Sequence, residues 1–271
     1  DGEGARRIAA AAKQFGIFVS LGVVERLGAS LYVGNWIIDD RGETVSRRRK
    51  LKPTHMERTV FGEGDGSDLV VSDTPLGRIG ALSCWEHLQP LTKFAMYSQN
   101  EQLHIAAWPG FSLYKENAYA LGAEVSLAAT QTYALEGGCF VLAPSAVTSA
   151  SMVSQICDTP AKHALFTVGG GHSVIYGPHG NPLSERMPDT WEGVICAEID
   201  LGEIAVAKAA ADPAGHYARA DVMRLMINRA PNHRVHAFDL ALQAEGGAPG
   251  QAPRLDTDAV AEHASGANSP A

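Results

Sequence analysis

The sequence is short of basic residues. Its 271 residues hold 22 Lys and Arg against 30 Asp and Glu, a formal net charge of −8 at pH 7. That balance excludes a broad basic face for a nucleic-acid backbone and disfavours an anionic membrane surface. Cysteine is sparse as well: Cys84, Cys139, Cys157 and Cys196 form no C-x-x-C pair. Such a set makes no disulfide framework, so a reducing compartment, the cytoplasm, is expected. No apolar run approaches the roughly 18 residues of a membrane span. No signal-peptide pattern is legible, and there is no repeat of fixed period. Charged residues make up 19% of the chain and hydrophobic residues 45%, enough for a sizeable core in one large domain or two small ones.

What is present is an alternation of helical and extended stretches. The opening, EGARRIAAAAKQFG, reads as a helix stopped by Gly16. With no methionine ahead of it, it is expected to lie inside a longer protein. IFVSLGVVER is expected to be a buried strand. LYVGNWIIDDRGETVSRRRKL reads as two strands joined at Asp39-Asp40-Arg41-Gly42, and KPTHMERTVFGEGDGSD as a long loop of the kind that carries function. LVVSDTPLGRIGALSC predicts two strands turning at Pro75 to Gly77, HLQPLTKFAMYSQN a helix, and EQLHIAAWPG a strand. KENAYALGAEVSLAATQTYALEG predicts one long helix, followed by the strands CFVLAPSAV, HSVIYGPHGNPLSE and GVICAEIDL. GEIAVAKAAA is a short helix that Asp212-Pro213 stops. Together they predict an α/β layered fold with mixed sheets. Residues 1–240 form the domain, and the Ala/Gly/Pro-rich residues 241–271 are expected to be a disordered tail.

Cys84 ends an apolar strand pattern and precedes the polar Trp85-Glu86-His87. Free cysteine is commonly an inert core thiol. At a strand-to-helix turn, however, helix amides can lower a thiol pKa, and nucleophiles recur on such elbows. The basic run RRRKLK can deliver a lysine to the same place, where its charge would favour a thiolate and steady developing negative charge. Glu57 is either a solvated loop carboxylate or a general base or orienting group beside that lysine. His55 carries the same two readings. GEGDGSD lacks the spacing of a calcium loop, VGGGH lacks the lysine of a phosphate loop, and Cys84 with His87 finds no second pair for a metal.

RRRKLKPTHMERTVFGEGDGSDL and GRIGALSCWEHLQPL, with LHIAAWPG and EIDLGEIAVAKAAADPAGHYARADV, resemble the nitrilase branch of the carbon–nitrogen hydrolase superfamily. The resemblance runs from the first helix to about Val235. It implies an α-β-β-α sandwich of two mixed sheets whose first strand or strands lie outside this sequence. It also implies a Glu-Lys-Cys triad with a second glutamate. Cys84 is then the nucleophile, Lys50 stabilises the tetrahedral intermediate, and Glu57 is the second, positioning glutamate. The general-base glutamate falls upstream of Asp1. Trp85, Trp108 and His55 are expected at the substrate pocket. No metal or organic cofactor is implied, because a thiol, an amine and carboxylates perform the chemistry.

The implied reaction converts a nitrile and two waters to a carboxylic acid and ammonia through a cysteine thioimidate and thioester. Cyanide dihydratases and amidases or carbamoylases of the same superfamily are the near alternatives. A non-catalytic oligomeric scaffold or inactive fragment is the alternative of another class. The resemblance further implies a homo-oligomer, a dimer or spiral filament, with ADPAGHYARADV near a subunit interface.

Overall fold

The structure, a computed structural model, describes residues 2–115 and 117–233. The tail expected over 241–271 lies outside the described residues. Helix α1 (Glu3–Phe15) carries Glu3 in its first turn and Lys13 in its last, each facing the favourable end of the helix dipole. Gly16 closes it in the left-handed conformation, φ 61°.

Three strands follow as an antiparallel sheet: β1 (Val19–Leu27), β2 (Ser30–Ile38) and β3 (Thr44–Arg49), in that order. The β2–β3 turn is organised by Asp39, whose side chain accepts from the amides of Arg41 and Glu43 at 3.0 and 2.8 Å. Gly42 sits there at φ 79°, and a Cβ would come within 2.5 Å of the Ala9 carbonyl oxygen of α1. The turn can therefore close against the helix only with glycine. β1 is not the buried strand expected. It is the edge of its sheet and alternates between half-buried and exposed residues. An edge strand of an antiparallel sheet keeps one face wet, whatever its apolar content.

The second sheet has the order β4 (Val71–Thr74), β5 (Gly77–Ser83), β6 (Leu103–Ala107), β7 (Phe140–Ala143), β8 (Val174–Tyr176). Its centre, β5–β6–β7, is parallel and its two outer pairings are antiparallel. Only this sheet is mixed; the three-stranded one is purely antiparallel, because hairpins alone connect it. The parallel steps are bridged by α2 (Pro90–Tyr97) and α3 (Ala123–Gly137).

Alternation along the central strands separates two faces. Leu82, Ala106 and Val141 pack with Met96, Tyr97, Tyr133 and Ala134 of the helices into the main core. Ile79, Ile105 and Leu142 line the opposite face, a cleft shared with Phe18, Val19 and Ile37 of the small sheet.

The long helix expected from Lys115 starts only at Ala123, after a separate turn at Tyr119–Leu121, with Gly122 as its N-cap residue. Two short helices, α4 (Ala150–Ile156) and α5 (Pro160–Leu165), occupy a stretch for which no element was expected. GVICAEIDL forms no strand: its residues find no ladder among the described residues. Helix α6 (Glu203–Ala210) ends before Asp212-Pro213, as expected.

Candidate active site

The period of two along β3 sorts its basic residues. Arg47 and Arg49 face outward, their guanidinium groups lying over the rings of Trp36 and Tyr32, and Arg49 also pairs with Glu25. Arg48 and Lys50 point inward and are 2% and 1% exposed, so their charges must be met by close partners.

Lys50 finds its partners in the loop just after it. Its Nζ lies 2.6 Å from Glu57 Oε2 and donates to Thr54 Oγ1 at 3.1 Å. The same Glu57 oxygen accepts from the Thr54 amide at 2.8 Å, which caps the short helical turn His55–Thr59. Glu57 is thus held by a cap while it holds the lysine.

Arg48 reaches across to the cysteine loop. Its Nη1 and Nη2 donate to Glu86 Oε2 and Oε1 at 2.9 and 2.7 Å. Glu86 is fully buried, and its two oxygens also accept from the amides of Ser83 (2.7 Å) and Leu51 (2.8 Å). One carboxylate therefore joins the end of the lysine strand to the turn that carries Cys84. Arg48 and Glu86 were not singled out in the sequence. The available signal was the period of two, which places Arg48 on the lysine's side.

Cys84 opens a 3-10 turn, Cys84–Leu88, directly after β5, with φ 52°. A non-glycine residue held there costs about 1–2 kcal/mol and persists only when its surroundings over-determine it. Burial pushes the thiol pKa above its usual value. The Lys50 charge and the Trp85 amide pull it down, and Glu57 and Glu86 push it up. The sum is upward, which corrects the expectation of a thiol acidified by a helix start. A single turn offers little dipole, and desolvation wins. A thiol held up in this way needs a proton acceptor before it can act as a nucleophile.

A cavity of about 220 Å³ lies over Cys84, lined by Thr54, His55, Met56, Glu57, Trp85 and Phe111 among others. His55 and Trp85 line it. Trp108 does not: it is buried, its Nε1 donates to Thr130 at 2.9 Å, and its ring stacks on His87. An indole N–H inside a core needs such a partner, and α3 supplies it. Glu57 is the one carboxylate among the described residues lining this cavity.

Residues 1–209 match the family model described as carbon–nitrogen hydrolase. A nitrilase from Pseudomonas syringae pv. syringae is 57% identical over 227 residues, covering 84% of this chain and 68% of that protein. An arylacetone-specific nitrilase from Alcaligenes faecalis is 52% identical, with 86% of this chain and 66% of that one covered. The chain thus spans about two thirds of the length of these relatives. Among solved structures, a carbon–nitrogen hydrolase from Helicobacter pylori G27 superposes with a TM-score of 0.68 at 19% identity, over 81% of this chain and 74% of that one.

Proposed function

This chain belongs to the nitrilase branch of the carbon–nitrogen hydrolase family, and on that premise we propose that it carries the nucleophile of a nitrilase. The reaction is nitrile plus two waters to carboxylic acid plus ammonia. The carrying observation is that Cys84, Thr54 and Glu57 line one cavity, while Lys50, bound to Thr54 and Glu57 just beneath it, acts by its charge on the Cys84 thiol.

Cys84 sulfur adds to the nitrile carbon, and its proton passes to a base and on to nitrogen, giving a thioimidate. Water adds to that carbon, ammonia leaves, and a thioester remains. A second water adds, the C–S bond breaks, and the acid departs with the thiol restored. Lys50 faces the negative charge that develops at each addition. Glu57 orients that ammonium. The base is the family's further glutamate, which the resemblance puts upstream of Asp1.

Assayed at the full length of the relatives, the protein releases ammonia from at least one of benzonitrile, phenylacetonitrile, an aliphatic nitrile or cyanide, and Cys84→Ala abolishes it. Turnover of amides alone would sink the reading. The assembly is a homo-oligomer: Leu91, Leu135 and Val206 stand 69%, 59% and 66% exposed on three helices, and Tyr217, Val222 and Met223 are exposed near the segment expected at an interface. A cytoplasmic location fits the four free cysteines. Size-exclusion chromatography and cell fractionation test these two points.

A further inference from the structure

Behind Cys84 lies a line of polar groups that the reaction does not use. The carbonyl of Cys84 is 2.6 Å from His87 Nδ1, His87 Nε2 is 2.9 Å from His104 Nε2, and His104 Nδ1 is 2.7 Å from Glu101 Oε1. Tyr133 donates to the other Glu101 oxygen at 2.6 Å. Each of these side chains is at most 1% exposed, so water does not complete the line. The rings are fixed by stacking, His87 on Trp108 and His104 on Tyr133. Room for the carboxylate is built in: a Cβ on Gly80, whose φ is unremarkable, would lie 2.0 Å from Glu101 Oε1.

The hydrogens can be counted. Three contacts need three hydrogens, and two neutral imidazoles with a carboxylate supply two. The carbonyl has none to give, so His87 Nδ1 carries one. A neutral His87 then accepts at Nε2 from His104 Nε2–H. The contact between His104 and Glu101 still needs a proton. We infer that His87, His104 and Glu101 form a buried brace that holds one proton beyond the neutral set, shared between His104 and Glu101, and that this brace fixes the Cys84–Trp85 peptide.

These are positioning residues, and their effect is transmitted through one peptide plane. The carbonyl that His87 grips belongs to the same peptide as the Trp85 N–H that faces the Cys84 sulfur. Holding the carbonyl aims the amide. Burial and the His104 charge keep His87 itself neutral, as the count requires. The other titratable groups around the brace keep to their own partners or stay neutral. Arg48 is bound to Glu86 and Lys93 to Glu136. Burial holds the Tyr133 hydroxyl and the Cys139 thiol well above their usual values.

The inference rests on Cys84 as the nucleophile. Its test uses alkylation and ring spectroscopy rather than turnover, so the two can fail separately. Nitrogen-15 NMR of the 271-residue chain labelled at histidine should show His87 protonated at Nδ1 alone, and His104 protonated at Nε2 and sharing a proton at Nδ1. In Glu101→Gln the amide supplies that hydrogen covalently, so His104 Nδ1 becomes bare while His87 is unchanged. Iodoacetamide alkylation of Cys84 at neutral pH should slow about tenfold in His87→Ala, with its pH midpoint moved up, as one hydrogen bond to the thiolate is lost. His87→Asn places an amide N–H where Nδ1 was and should stay within about twofold of the parent, as should Glu101→Gln. Gly80→Ala, which displaces Glu101 without touching either histidine, should behave like His87→Ala. A wild-type His104 with one protonated nitrogen, or His87→Ala alkylating as fast as the parent or faster, would overturn the inference. The wild-type spectrum decides the proton count even if a variant does not fold.

Discussion

The Glu86 carboxylate takes four hydrogen bonds, two on each oxygen, and each oxygen receives one from Arg48 and one from a backbone amide. Glu86→Gln keeps the shape but turns one oxygen into an NH2 group facing two donors. Arg48→Met leaves a buried carboxylate with only the amides of Ser83 and Leu51. Breaking a buried pair from one side costs about 3–5 kcal/mol. Were the two losses independent, the double variant would lose about 6–10 kcal/mol, most of the stability of an ordinary domain. They share one interaction, so the double variant should lose about 2–3 kcal/mol less than the sum. Urea unfolding followed by tryptophan fluorescence, on the four chains of the cycle, measures this. Additivity within about 0.5 kcal/mol would refute the claim that the lysine strand and the cysteine turn are joined through this carboxylate. Arg48→Lys should resemble Arg48→Met, since one ammonium cannot serve both oxygens.

Two further outcomes follow from the titrating groups. The Cys84 thiol is pushed up chiefly by burial, so its alkylation rate should rise with pH to a midpoint above the value of about 8.5 for a free thiol. A plateau already reached at neutral pH would contradict the assignment. Burial holds His87 well below its ordinary value. Its folded pKa is depressed, so its contribution is intact above the unfolded value of about 6.5 and is lost as pH falls below it, by up to about 1.4 kcal/mol per pH unit. Denaturant unfolding of the parent and of His87→Asn at neutral and mildly acidic pH should show the steeper loss in the parent, and equal losses would exclude this cause.

Much of the fold was legible where one signal acts alone. Gly16 stops α1, and Asp39 to Gly42 make a hairpin. The misreadings fall where tertiary context decides. β1 is as apolar as a central strand, and only its place at a sheet edge leaves it half exposed. GVICAEIDL has the composition of a strand but finds no partner among the described residues. At the site, Cys84, Lys50 and Glu57 could be named because they stand in long, specific motifs. The residues that hold them were missed because each is ordinary by itself. Glu101 and His104 did leave a trace. His104 stands in the buried phase of β6 with Ala106, where a polar side chain must have a partner, and Glu101 lies three residues earlier.

The arginine–glutamate clasp also divides the site by what can vary. Leu51 and Ser83, the neighbours of Lys50 and Cys84, give their amides to different oxygens of one carboxylate, so the spacing of the two backbone segments is set beneath the cavity. Met56, Leu113 and Leu121, which line the same cavity, hang from loops and short turns outside that clasp. Sequence drift in the wall can therefore resize the opening while the chemistry under it keeps its dimensions. A scaffold divided in this way can be retuned from one nitrile to another without being rebuilt.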